Sequence, residues 1–247
     1  MRVIYVVMMV LFFSFSAAYG GQGENIPYTV EGEQFEGYFI SPSANAPLVF
    51  LVHDWDGLTE YEIKRAGMLA ELGYAVFCVD MYGKGVRPTE RSEKKKMTRS
   101  LYADRPRMRL LLEGGLKTAM ALGANLENAV AMGYCFGGTC VLELGRSGKN
   151  LKGFVAFHGG LAIPKNQNYS QAKGSYLIFH GSADTGVTIS DFATLAEALE
   201  KNKLDHEMIT YGGAPHAFTI FGSPRYREDA DKKSWARFVD FLSATLK

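Results

Sequence analysis

The stretch Ala131-Met132-Gly133-Tyr134-Cys135-Phe136-Gly137-Gly138 constrains this chain more than any other. It joins a strand-like run at 128–134 to a helical run that continues over 139–146. A turn of this kind forces its central residue into a strained backbone conformation and lifts that side chain above the edge of a sheet. Strand and helix must then approach closely, which requires small residues on both sides. Gly133 and Gly137 stand two positions either side of Cys135, with Gly138 as a spare. The spacing is that of a nucleophile elbow. A cysteine here also has a plain reading as a small buried apolar residue, so the surrounding chain must decide between the two.

Before the elbow, two short alternating segments at 28–30 and 35–40 flank Gly32 and predict an antiparallel hairpin at a sheet edge. Residues 47–53 form a nearly continuous apolar run, the mark of a strand buried on both faces. A helical pattern over 61–72 closes at Gly73, and 74–80 is the next strand. A polar segment over 82–92 leads into a long helical region that reaches 121 and is interrupted near Pro106. After the elbow come strands at 154–158 and 175–180, a helix at 189–201, a strand at 207–211 and a closing helix at 229–246. This alternation predicts an α/β fold: a mostly parallel central sheet with helices on both faces and ligands bound at the carboxyl ends of the strands.

Composition bounds the partner. With 27 Lys+Arg against 26 Asp+Glu, the chain has no electrostatic footprint for nucleic acid or an anionic membrane, and a small molecule is expected. Lys94-Lys95-Lys96 reads as a solvated helix face. At the N-terminus, Arg2 precedes an apolar run over 3–15 and the small residues Ser16-Ala17-Ala18-Tyr19-Gly20. That run is short for a membrane span, which needs about 20 apolar residues. The expectation is a cleavable signal peptide at 1–20, no stable membrane anchor, a single mature domain over 21–247, and a periplasmic or secreted location. Three cysteines leave at least one thiol free, so no disulfide scaffold is expected, and Cys78 reads as a buried apolar residue.

A nucleophilic thiol needs a base, and the base needs an acid to fix its tautomer. The elbow resembles that of the α/β-hydrolases with cysteine for serine, and there the chain order is nucleophile, acid, histidine. His216 lies in the glycine-rich Tyr211-Gly212-Gly213-Ala214-Pro215-His216, directly after the last strand. Asp184 follows the preceding strand in His180-Gly181-Ser182-Ala183-Asp184, with Asp191, at a helix start, as the fallback. His158 and His180 each end a strand and have a structural reading as good as a site-lining one. The helix dipole beginning at Phe136 and a neighbouring imidazolium are expected to lower the thiol from its usual pKa of about 8.5. The Phe136 amide is one expected oxyanion donor. The Trp55 amide, in His53-Asp54-Trp55-Asp56-Gly57, is the other.

Over nearly its whole mature length the chain resembles the dienelactone hydrolase family. The resemblance rests on His53-Asp54-Trp55-Asp56-Gly57-Leu58, Asp80-Met81-Tyr82-Gly83-Lys84-Gly85, the elbow, Phe157-His158-Gly159-Gly160-Leu161, and the segment from Tyr211 through His216 to Phe218. It implies a Cys135, Asp184, His216 triad, with Asp54 at the position that gates the resting thiol. Members often carry glutamate there, and aspartate is one methylene shorter. Dienelactone-cleaving members place an arginine four residues beyond the histidine, where this chain has Ile220. Arg225 is the candidate replacement, and Arg99, Arg105 or Arg107 the candidates for a second arginine. Tyr82, Arg105 and His158 are the candidate substrate-binding side chains. The expected function is hydrolysis of a small carboxylic ester or lactone through a thioester, with no metal or organic cofactor. A binding protein on the same fold, or a thioesterase or acyl transferase, are the alternatives.

Overall fold

The computed structural model describes residues 22–247, so the leader expected at 1–20 lies outside the described residues. Strands β1 (Glu24–Val30), β2 (Glu33–Ile40), β3 (Leu48–Val52), β4 (Ala75–Val79), β5 (Ala129–Tyr134), β6 (Gly153–Phe157), β7 (Ser175–Gly181) and β8 (His206–Tyr211) form one sheet. Its order is β1-β2-β4-β3-β5-β6-β7-β8. The hairpin β1–β2 joins β4 antiparallel, and every later pairing is parallel. Among the described residues, six α-helices accompany the strands: α1 (Glu60–Glu71), α2 (Arg91–Ala103), α3 (Arg105–Ala121), α4 (Phe136–Arg146), α5 (Ile189–Lys201) and α6 (Glu228–Thr245).

The central strands are buried on both faces, and their alternation divides the core in two. Leu48, Phe50, Val52, Phe77 and Val79 face Leu101, Met108, Leu112, Cys140 and Leu195, from helices α2 to α5. Val49, Leu51, Val76 and Cys78 face Ala66, Leu69, Phe238 and Leu242, from α1 and α6. Burying each of these larger side chains contributes about 1.5–3 kcal/mol. Among the described residues, no helix is long and apolar enough to cross a membrane.

Boundaries follow local chemistry. The break between α2 and α3 falls at Asp104, whose carboxylate accepts the Arg107 N–H at 2.9 Å and caps α3, while Pro106 occupies the first turn, where its missing N–H costs nothing. β8 begins one residue earlier than expected because His206 pairs with Tyr176 of β7. In the parallel register Val52 pairs with Gly133, Tyr134 with Phe157, and Phe157 with Phe179. The segments after β3, β5, β6, β7 and β8 therefore collect along one rim of the sheet.

Candidate active site

The elbow is built by its glycines. Cys135, between β5 and α4, has φ 50° and ψ −109°, a backbone conformation that side-chain-bearing residues avoid. A Cβ at Gly137 would collide with the Val52 carbonyl oxygen, and one at Gly133 with the Gly137 backbone. The strain is sustained by the burial of α4 from Phe136 through Arg146. It directs the thiol outward from the sheet edge, with the Phe136 N–H next to the sulfur and opposing the rise in its pKa.

Two loops deliver the histidine and the acid. His216 Nε2 stands 2.9 Å from Cys135 Sγ, and its Nδ1 lies 2.7 Å from Asp184 Oδ2. The other oxygen of Asp184 accepts the Gly186 and Val187 N–H groups at 2.8 and 3.0 Å. The Asp184 side chain is wholly buried, whereas that of His216 is 27% exposed, so the ring can meet a substrate while its orienting acid cannot. Burial pushes the Asp184 carboxyl up, but the His216 contact and the two amides outweigh it and hold it below the usual carboxylate range. Asp191, the fallback, instead closes a capping box with Thr188 at the start of α5.

The loop after β3 brings Asp54 against the thiol. Its carboxylate accepts the Trp55 N–H and lies beside the Cys135 thiol. Both donors expected for an oxyanion are thus at the rim, with the Trp55 amide occupied by Asp54 and the Phe136 amide turned toward the sulfur. The electrostatics differ from the sequence expectation. Burial, then the neighbouring Asp54 carboxylate, push the Cys135 thiol well above its ordinary range, against the opposing Phe136 amide. The helix terminus is present, but burial of the sulfur, followed by the Asp54 carboxylate facing it, outweighs it. Burial and the nearby Asp56 charge raise the Asp54 carboxyl to about 6, against the Trp55 amide.

Glu62, in α1 and wholly buried, holds this loop at both ends. It accepts the Asp54 N–H at 3.3 Å, the Thr59 N–H at 2.9 Å and the Thr59 hydroxyl at 2.8 Å. The sequence reading missed it, although Thr59-x-x-Glu62 is a capping-box pattern. His53 is buried and neutral: its Nδ1–H donates to the Asp54 carbonyl at 2.5 Å, and its Nε2 accepts the Met81 N–H at 3.1 Å. Burial also depresses its pKa.

The candidate substrate-binding residues are differently engaged. The Tyr82 hydroxyl donates to the Trp55 carbonyl at 3.1 Å, so it braces that loop. Arg105 lies 3.4 Å from Glu143, a wholly buried carboxylate of α4 that also takes Arg109 at 2.6 Å and Arg146 at 2.8 Å. His158 is wholly buried, with Nε2 2.8 Å from the Thr219 hydroxyl and its ring edge-on to His216 at 5.4 Å. It stands behind His216 rather than on a pocket wall. Burial and the neighbouring His216 hold its pKa well below the ordinary histidine range. Arg107 is paired with Glu33 at 2.7 Å. Arg225, by contrast, lines a cavity of about 370 Å³ together with Trp55, Ile220, Arg91 and Lys94. Cys78 and Cys140 are buried free thiols. Among the described residues, no group of three His, Cys, Asp or Glu side chains is arranged to hold a metal ion.

Residues 35–246 match the dienelactone hydrolase family. The chain is 25% identical over 230 residues to a Synechocystis protein, an alignment covering 87% of this chain and 93% of that one. It is 23% identical over 232 residues to an Escherichia coli protein, covering 90% and 83% respectively. Both relatives are named "Putative carboxymethylenebutenolidase". Among solved structures, a dienelactone hydrolase-like promiscuous phosphotriesterase from metagenomic libraries superposes with a TM-score of 0.84 at 26% identity, covering 92% of this chain and 99% of that one. With the matched span running from β2 into α6, the chain belongs to the dienelactone hydrolase family of α/β-hydrolases and is an enzyme of the ester- and lactone-cleaving class.

Proposed function

We propose that this hydrolase works through a thioester formed on Cys135. The observation that carries the reading is the continuous chain Cys135 Sγ, His216, Asp184, with contacts of 2.9 and 2.7 Å. Sγ attacks the carbonyl carbon of a carboxylic ester or lactone while its proton passes to His216 Nε2, and Asp184 holds the resulting imidazolium. The carbonyl oxygen, now negative, is received by the Phe136 and Trp55 N–H groups. Collapse breaks the carbon–oxygen bond, and the departing alkoxide takes the proton from His216. In a lactone that alcohol remains attached to the acyl chain. Water, deprotonated by His216, then attacks the thioester, and the thiolate leaves and is reprotonated.

The resting electrostatics fit a gated version of this cycle. Asp54 occupies the Trp55 amide and faces the sulfur, so the thiol is held neutral until a carbonyl oxygen displaces the carboxylate. That exchange frees an oxyanion donor and removes the anion that raises the thiol. The cavity beside Trp55, with Arg91, Lys94 and Arg225 on its wall, is the proposed entrance for the substrate. The same reading takes residues 1–20 as a cleaved leader of an exported protein, which N-terminal sequencing of the mature chain tests directly.

The deciding experiment compares hydrolysis of p-nitrophenyl acetate and of a dienelactone by the native protein and by Cys135→Ala. Ester hydrolysis that disappears in the variant is the expected result, and trapping of an acyl group on Cys135 by mass spectrometry accompanies it. Equal rates in both proteins would refute a cysteine nucleophile. The rate on the lactone reports whether Arg225 replaces the arginine absent at Ile220.

A further inference from the structure

We propose that Thr219 and His158 form a buried seat that positions His216, an inference that rests on His216 being the base of the reading above. His216 sits on a loop after the edge strand β8 and must satisfy Cys135 and Asp184 at once. The residue after it, Ala217, has φ 61°, and His158 across from it has φ 41°, so both segments carry left-handed backbone without glycine. Such strain persists only where the surroundings over-determine it.

The over-determining residue is Thr219, three positions beyond His216 and wholly buried. Its hydroxyl lies 2.8 Å from His158 Nε2 and 2.8 Å from the Tyr61 hydroxyl. Its carbonyl accepts from Arg65 Nη2 at 3.1 Å, and Arg65 is itself paired with the buried Asp231 of α6. One residue of the His216 loop is therefore fastened to the end of β6, to α1 and, through Arg65, to α6. His158 completes the seat with its ring, which lies edge-on to His216 at 5.4 Å and to Phe218 at 5.3 Å.

Depressed far below the ordinary histidine range by burial, His158 stays uncharged at neutral pH and adds no second cation beside the imidazolium that forms on His216. Its Nδ1 has no hydrogen-bond partner among the described residues, so the bond to Thr219 is the one side-chain hydrogen bond there that fixes the ring. Thr219 and His158 touch neither thiol nor substrate; they act through the placement of His216. A displacement of about 1 Å in a reacting group costs on the order of 100-fold in rate.

The test replaces Thr219 with valine, which keeps the branched shape and removes the hydroxyl, and with serine, which keeps the hydroxyl. Thr219→Val is expected to lower kcat for p-nitrophenyl acetate at least about tenfold with KM within about twofold, as for a loss felt only in the transition state. Thr219→Ser is expected to retain kcat within about threefold, on the same kinetic footing. Circular dichroism checks that each variant is folded. If Thr219→Val does not fold, His158→Phe, which keeps a ring against His216 and removes Nε2, carries the same expectation. A folded Thr219→Val or His158→Phe with native kcat overturns the proposal, as does an equal loss in the valine and serine variants. His216→Ala is measured alongside. Native activity in His216→Ala would defeat the base assignment, whereas an inactive His216→Ala beside a fully active Thr219→Val would defeat the seat alone.

Discussion

Glu62 offers the most direct physical test of how the loop after β3 is held. It is wholly buried, accepts three donors and has no cation against it among the described residues, and burial raises its carboxyl from 4.5 to about 7. A carboxyl whose pKa is raised on folding opposes stability once it ionises. Below pH 4.5 both folded and unfolded chains hold the proton and the penalty is absent; it grows as pH rises from 4.5 to 7 and is constant above. At about 1.36 kcal/mol per pKa unit, the full penalty is about 3.4 kcal/mol, of which about 2.5 kcal/mol develops between pH 5 and pH 8. Glu62→Gln removes this titration. The glutamine amide turns an N–H toward one of the three donors, the most weakly held being the Asp54 N–H at 3.3 Å, and that cost is the same at both pH values. The difference in unfolding free energy between variant and native chain should therefore move by about 2.5 kcal/mol in favour of the variant from pH 5 to pH 8. Urea denaturation of both proteins at the two pH values measures it, with the constant cost cancelling. A difference that stays within about 0.5 kcal/mol across that range would mean that Glu62 is not a buried, unpaired carboxylate in the folded chain.

Asp54→Asn removes the charge that raises the Cys135 thiol, so the rate of iodoacetamide modification of Cys135 at pH 7 should rise about tenfold for each pKa unit by which the thiol falls; an unchanged rate would refute the proposed restraint. Gly137→Ala drives a Cβ into the Val52 carbonyl and should leave little folded protein, read as the loss of a cooperative urea transition. Asp231→Ala strands the guanidinium of Arg65, whose side chain is 1% exposed, and should cost about 3–5 kcal/mol by denaturation. A loss below about 1 kcal/mol would show that the ring faces of Phe221 and Trp235, 4.2 and 4.9 Å from that guanidinium, carry it instead.

The order of strands and helices was legible because this sheet is buried on both sides. Runs such as Leu48–Val52 and Ala75–Val79 must be apolar throughout, and the glycines and polar residues that interrupt them mark where the chain leaves the core. Since parallel strands end on one rim, the residues just past each run are neighbours in space whatever their separation in sequence. That topological fact, together with the elbow spacing around Cys135 and the required order nucleophile, acid, histidine, let Cys135, Asp184 and His216 be named together. His158 also follows a strand, but its Nε2 lies against the Thr219 hydroxyl, whereas His216 reaches both Cys135 and Asp184.

What remained hidden was set by contacts between elements with no common periodicity. The chemistry at the thiol turns on Asp54, from the loop after β3. A helix N-terminus read from the elbow alone argues for an acidic thiol, whereas burial of the sulfur, and then the Asp54 carboxylate beside it, reverse the sign. Arg105 stands in the sequence as a candidate to meet a substrate; in the fold its partner, Glu143, lies in α4 and gathers three arginines at once. In each case the sequence placed a charged group correctly on its own element, and the neighbour that fixed its state came from another. A charge is worth a different amount against each partner and depth. The position of a titratable residue could therefore be inferred from the alternation of strands and helices, while its protonation and its availability to a ligand could not.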